Sequence, residues 1–172
     1  MPAKLRTKLK YDAMGDFYKS YLMNYTLGGA FNSRINLNLR EDKGYTYGVG
    51  SGLASLLHEG YFFISTEVGA ESTLSAENEI KHELKKLREE LIPVAELDLV
   101  KNYLLGQVLK STDGVFARMN RFKTLNLFNQ NEEDFQFMIT GIRNAKAINL
   151  QEMANEWFRE EDMLTVIAGK AE

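Results

Sequence analysis

Cysteine is absent from all 172 residues, which removes disulfides, thiolate zinc sites and thiol catalysis together. The compartment stays open, because oxidising ones also hold cysteine-free proteins. Histidine is nearly as scarce, with only His58 and His82, far apart in the chain. A hydrolytic zinc site takes three protein ligands, and helical zinc motifs need two histidines about one turn apart. His82-Glu83-Leu84-Lys85-Lys86 opens like HExxH, but a lysine stands where the second histidine belongs. Its ammonium would repel a metal, so His82 reads as a solvated residue on the polar side of a helix. No run approaches the ~18 apolar residues of a membrane helix. Met1-Pro2-Ala3-Lys4 lacks the apolar core of a secretory signal, so the chain as given is expected to stay where it is made, the cytoplasm by default. A net charge of −3 gives no argument for nucleic acid or an anionic membrane as partner. Apolar residues at 44% and charged residues at 26% are the proportions of a folded globular chain. With no repeat, low-complexity run or linker, one domain over residues 1–172 is the expectation.

The informative stretch is Leu27 to Gly48, LGGAFNSRINLNLREDKGYTYG. Gly28-Gly29 break one helix, and from Ala30 the residues Phe31, Ile35 and Leu39 recur every four, as on one helical face. Gly44 suits the position just past the helix end. The period then changes to two, with Tyr45, Tyr47, Val49, Ser51 and Leu53 on one side and Thr46, Gly48, Gly50, Gly52 and Ala54 on the other. Three glycines on one face leave room for something to lie close. After a turn at Leu57–Gly60, Tyr61 to Val68 returns as the second strand of an antiparallel hairpin.

Around this segment, residues 3–11 alternate as a strand with one basic face, or form a frayed basic tail. Asp12 can cap a helix carrying Phe17, Tyr18, Tyr21, Leu22 and Tyr25. Downstream, Ser75–Leu91 predicts a helix with Ala76, Ile80, Leu84, Leu87 and Leu91 inward. Pro93 fits the first turn of the next, through Leu97, Val100, Leu104 and Val108. Asp113-Gly114 marks a break, and Phe116, Met119, Phe122 and Leu125 suggest a further helix. Asn131 and Asn149 stand where caps belong, and Glu152 completes a capping-box pattern with Asn149. Met163–Ala168 predicts a final short strand. A hairpin, a block of helices and one strand favour an α+β fold, a mostly antiparallel sheet with helices packed on one face.

The run LGG-x-F-x-SR-x-x-x-x-LRE-x-KG-x-x-Y resembles the second-domain signature of the insulinase/pitrilysin-type zinc peptidases, the inverted-motif family that includes mitochondrial processing peptidase. The resemblance is dense over about 22 positions, and compatible element order extends it over most of the chain. It implies the same α+β fold, with two homologous domains facing one another across a substrate chamber. One holds zinc through an HxxEH helix, which this chain lacks. The other contributes an arginine and a tyrosine, which here are Arg40 and Tyr47. Tyr45 fills a place that is commonly aliphatic in the family. The family's second domain usually begins with a strand and a sizeable loop, so this chain is expected to be shortened at its N-terminus.

From the residues alone, Arg40 is a helix-terminal cation favourable to the dipole and Tyr47 an ordinary strand residue. The resemblance instead implies that Tyr47 donates to the developing oxyanion while Arg40 holds the substrate backbone or the same oxygen. The metal, which polarises the scissile carbonyl and activates water, would belong to the partner domain. No cofactor is then expected in this chain, and its partners are an HxxEH-bearing domain and a peptide substrate. Gly28 and Gly29 can let a substrate strand approach, or serve close packing between two helices. Ser33 has no histidine near in sequence and is rejected as a nucleophile. Two alternatives stay open: a scaffold of the same fold that does no peptidase work, and a piece of a longer chain that self-associates through an exposed sheet edge.

Overall fold

A computed structural model of the protein describes residues 17–56 and 60–169. The expected strand at 3–11, the Asp12 cap and the hairpin tip at 57–59, with His58, lie outside the described residues. Helix α1 (Phe17–Asn24) runs into a wider π-helical turn, Tyr25–Gly29. Leu22, Met23 and Leu27 are fully buried along it. Gly28 lies in the last turn of this helix at a crowded spot, where an added Cβ would run into the side chains of Ile35 and Ser51. Only glycine lets the chain approach its neighbours so closely there.

Helix α2 (Arg34–Asn36) continues as a π-helical segment, Leu37–Asp42. Ile35 and Leu39 are fully buried, as their spacing predicts, but Phe31 is 72% exposed. The helix opens only at Arg34, after an extended Ser33, so Phe31 lies outside its periodicity. Past the helix, Gly44 takes φ +64° and the Tyr45 N–H donates to the Leu39 carbonyl at 2.8 Å. A left-handed glycine in that position turns the chain out of the helix towards the sheet.

Strands β1 (Val49–Ser55) and β2 (Gly60–Thr66) pair antiparallel from Val49↔Thr66 to Ser55↔Gly60. The strand expected from Tyr45 begins four residues later because the chain bends at Tyr47. Helix α1 packs on one face of the hairpin, where Val49, Phe62 and Ile64 join the core. On the other face Tyr61 and Phe63 are exposed, and the Phe63 ring covers Gly52 where a Cβ would stand.

The expected block of helices follows as five: α3 (Thr73–Glu89), α4 (Val94–Lys110), α5 (Val115–Leu127), α6 (Glu132–Asn144) and α7 (Ala147–Trp157). Ala76, Leu84 and Leu87 line the inner face of α3. Leu91 lies beyond the helix end and is exposed, and Ile92 takes the core position instead. Pro93 sits just before α4 rather than in its first turn. Asn131 caps α6 through a capping box closed by Asp134. Asn149 caps nothing: α7 starts at Ala147, where burial of Leu150, Met153 and Ala154 sets its phase, and Asn149 falls inside the first turn. Met163–Ala168 has no regular secondary structure. An apolar run becomes a strand only where a neighbour supplies the ladder, and no described strand pairs with it. The α+β class stands, with helices packed on one face of an antiparallel sheet.

Candidate functional site

Along α2 a polar side chain recurs every second residue: Arg34, Asn36, Asn38 and Arg40. The first three are each taken by a different element. Arg34 makes a two-point contact with Glu96 of α4, at 2.7 and 2.9 Å. That bond holds the Arg34 guanidinium above its ordinary pKa despite its burial. Asn36 Nδ2 donates to the Val49 carbonyl at 2.6 Å, tying the helix to β1. Asn38 Nδ2 lies 2.9 Å from both Glu79 and Glu83 of α3. Glu83 is buried, and Lys86 compensates its charge at 3.1 Å.

Arg40 is the one left over. Its guanidinium lies over the Phe31 ring, 4.1 Å from the centroid, and NH1 meets the adjacent Glu41 carboxylate at 3.4 Å. NH1 is nevertheless out of contact with water and has no hydrogen-bond partner. Exposed Phe31 thus props the arginine from one side while a donor stays free. A cation over an aromatic face is held in direction without using up its N–H groups.

Arg40 and Tyr47 line one open cleft of about 560 Å³, with Thr46, Glu67 and Val68 among its walls. Tyr47 is fully exposed, and no hydrogen bond engages its phenol among the described residues. Its backbone is fixed on both sides by Thr46. The Thr46 hydroxyl donates to the Glu67 carbonyl at 2.7 Å and accepts from the Gly48 N–H at 3.1 Å. The Thr66 hydroxyl reaches the same oxygen at 3.1 Å. This latch holds the bend, and the bend throws Tyr47 out of the strand alternation into solvent. Among the described residues no hydrogen bond joins Arg40 to Tyr47. The two share a cavity wall rather than a contact.

Gly28 and Gly29 are not walls of that cleft. Gly28 is packed against Ile35 and Ser51, and a Cβ on Gly29 would press on Asn24. The Ser33 hydroxyl receives Asn36 Nδ2 at 3.2 Å, which ties it to the helix start. Sequence reasoning passed over Thr46, Asn36, Asn38 and the Arg34–Glu96 pair. For Asn36 and Asn38 a signal existed, since asparagine is poorly suited to a helix interior unless something claims its side chain.

Residues 10–104 match the family model of the peptidase M16 inactive domain, more than half of the chain. The chain belongs to this family. Over 151 residues it is 25% identical to a Bacillus subtilis protein named uncharacterized zinc protease YmxG, covering 88% of this chain and 37% of that one. A Helicobacter pylori protein named non-peptidase homolog YmxG is 29% identical over 119 residues, 68% of this chain and 27% of its own. The chain therefore spans about a third of the length of the curated relatives it matches. The crystal structure of a peptidase M16 inactive domain from Pseudomonas fluorescens superposes with a TM-score of 0.75 at 22% identity, over 83% of this chain and 34% of that one. A protease structure from Helicobacter pylori gives 0.75 at 20% identity, over 90% and 37%. These two likenesses show the fold, and the insulinase/pitrilysin-type resemblance of the Leu27–Gly48 segment is borne out by the family match.

The zinc of the M16 family does not fit the side chains described here. No group of three or more His, Asp or Glu residues is placed to hold a metal ion among the described residues. At the place where an HExxH helix would present its second histidine, Lys86 is bound to Glu83. What the arrangement places on one cleft is the Arg40 guanidinium, whose NH1 is buried, and the exposed Tyr47 phenol.

Proposed function

We propose that this M16 inactive domain, residues 1–172 as one unit, supplies the peptide-binding and oxyanion-stabilising half of a zinc peptidase. An HxxEH-bearing domain or subunit completes the site and carries the metal. The observation that supports this reading most is the shared cleft. Of the four polar side chains along α2, only Arg40 makes no side-chain hydrogen bond to another element among the described residues, and it lines the cavity that Tyr47 also borders. In such a complex Arg40 holds a carbonyl of the extended peptide. Tyr47, through its O–H, donates to the oxygen on which negative charge builds. Donors fixed before the charge appears stabilise it without reorganisation. Gly28 serves the site indirectly, by letting the turn after α1 pack against Ile35 of α2 and Ser51 of β1.

The competing reading is a scaffold of the same fold, and the printed name of the Helicobacter pylori relative, a non-peptidase homolog, favours it. Replacing both Arg40 and Tyr47 (Arg40→Ala with Tyr47→Phe) separates the two. A donor half loses peptide hydrolysis in the reconstituted complex while assembly is unchanged. A scaffold assembles and functions as before, which would defeat the proposal.

A further inference from the structure

Strand β1 begins at Val49, and four residues earlier the Tyr45 N–H is held by the Leu39 carbonyl at 2.8 Å. Between these two anchors the chain bends at Tyr47, whose exposed side chain has no hydrogen-bond partner among the described residues. Gly48 beside it brings no side chain, and an added Cβ there would meet nothing within 4 Å. Packing on that side therefore does not set the bend. Among the described residues, the hydrogen bonds that hold residues 46–48 all run through two hydroxyls, those of Thr46 and Thr66.

Had the ladder gone on past Val49↔Thr66, Gly48 would face Glu67. The Thr46 hydroxyl takes the Glu67 carbonyl instead, at 2.7 Å, and receives the Gly48 N–H at 3.1 Å. The Thr66 hydroxyl stands 3.1 Å from both the Thr46 oxygen and the Gly48 carbonyl. A hydroxyl has one proton to give and two lone pairs to fill. With Thr66 donating to it, Thr46 uses all three. A side chain thus stands in for the pairing that the bend interrupts, on the residue directly before Tyr47. Gly48 and Glu67 are exposed, so water can replace either bond. What the hydroxyl supplies is direction more than stability. Thr46, Tyr47 and Glu67 border the same cleft. We propose that Thr46, supported by Thr66, is the positioning residue of Tyr47: its saturated hydroxyl fixes the backbone on both sides of the tyrosine, and with it the direction in which the phenol stands on the cleft. The catalytic use of that direction rests on the donor reading of Tyr47 given above.

Two measurements separate this inference from that reading, and the first needs no partner. Nitrogen-15 relaxation of the full 172-residue chain is expected to give the Tyr47 N–H an order parameter near ~0.85, falling below ~0.6 in Thr46→Val. Valine keeps the branched shape without the hydroxyl. Thr46→Ser, which keeps the hydroxyl, should stay near the parent, and the melting temperature should move little in either variant. The second measurement uses the complex with an HxxEH-bearing domain. There Thr46→Val is expected to lower kcat about tenfold with KM little changed, as misplacement of a donor does. Thr46→Ser should restore kcat, and Thr46→Val should have no further effect once Tyr47→Phe has removed the phenol. A Tyr47 order parameter that Thr46→Val leaves unchanged overturns the proposal. So does a large fall in its melting temperature, which would make the hydroxyl a structural tie. A kcat that Tyr47→Phe lowers and Thr46→Val does not, a Thr46→Ser that fails to restore it, or a Thr46→Val loss that persists undiminished in the Tyr47→Phe background also overturns it. If Tyr47→Phe leaves kcat unaltered, the donor reading fails by itself, and the order parameters alone decide whether Thr46 positions Tyr47.

Discussion

Helices α2 and α5 carry apolar stripes of the same period and meet opposite fates. In α2 the stripe is wholly buried, and the polar side chains beside it are claimed in turn by α4, β1 and α3. In α5 the stripe faces water, and what ties the helix down is polar. Arg121 meets Glu132 at 2.5 Å and lies over the Phe135 ring, 3.4 Å from its centroid. Periodicity therefore tells which residues share a face but not whether anything covers it. The polar neighbours carry that second piece of information. In α2 they are tied to the elements that bury the stripe; in α5 they tie only the side of the helix away from it, and the stripe stays in water.

The contrast can be broken most forcefully by truncating one apolar residue from each stripe. Leu39→Ala should cost about 3 kcal/mol, the usual price of a cavity at a fully buried leucine. Phe116→Ala should change unfolding by less than about 0.5 kcal/mol in urea titrations. Equal losses would mean that α5 is held by packing after all. Next in size is Gly28→Ala, expected to destabilise by about 2 kcal/mol because Ile35 or Ser51 has to move. Thermal unfolding at the parental temperature would contradict that packing.

A finer test stays within α2. Arg34→Met leaves the Glu96 carboxylate, only 29% exposed, without its partner and should cost about 1–2 kcal/mol. Arg40→Met removes no hydrogen bond and should cost under about 0.5 kcal/mol. If the two are equal, Arg40 is structural and the donor reading fails.

The smallest effect concerns the tie that holds α5. Hydrogen bonds from Gln136 and Arg121 hold the Glu132 carboxyl below its ordinary value of 4.5. A carboxyl lowered in the folded state stabilises fully above its unfolded value, and that contribution is lost as the pH falls through the folded one. Glu132→Gln should therefore lower the melting temperature slightly at neutral pH, and the difference from the parent should close as the pH falls below about 4.5.

Much of this was legible in the chain itself. The helix–turn–strand order of Leu27–Gly48, the left-handed Gly44 and the hairpin follow from glycine chemistry and a change of period, which are local. Phe31, Tyr47, Leu91 and Asn149 departed from their expected places for a shared reason. Each sits at an element end, where one residue of shift changes the face. Phe31 and Tyr47 gain their interest from that displacement, one under the guanidinium and the other in open solvent. Met163–Ala168 reads as a strand only if a ladder partner exists, and that is a non-local condition. That Arg34 is consumed by Glu96 while Arg40 is not was invisible in the sequence, since the two arginines stand in closely similar settings along one helix.

Turnover by the complex of this chain with an HxxEH-bearing companion bears most directly on the central claim. Tyr47→Phe, which deletes one hydroxyl from a fully exposed side chain, is expected to lower kcat roughly 100-fold with KM little changed. An unaltered kcat in that variant would contradict the account.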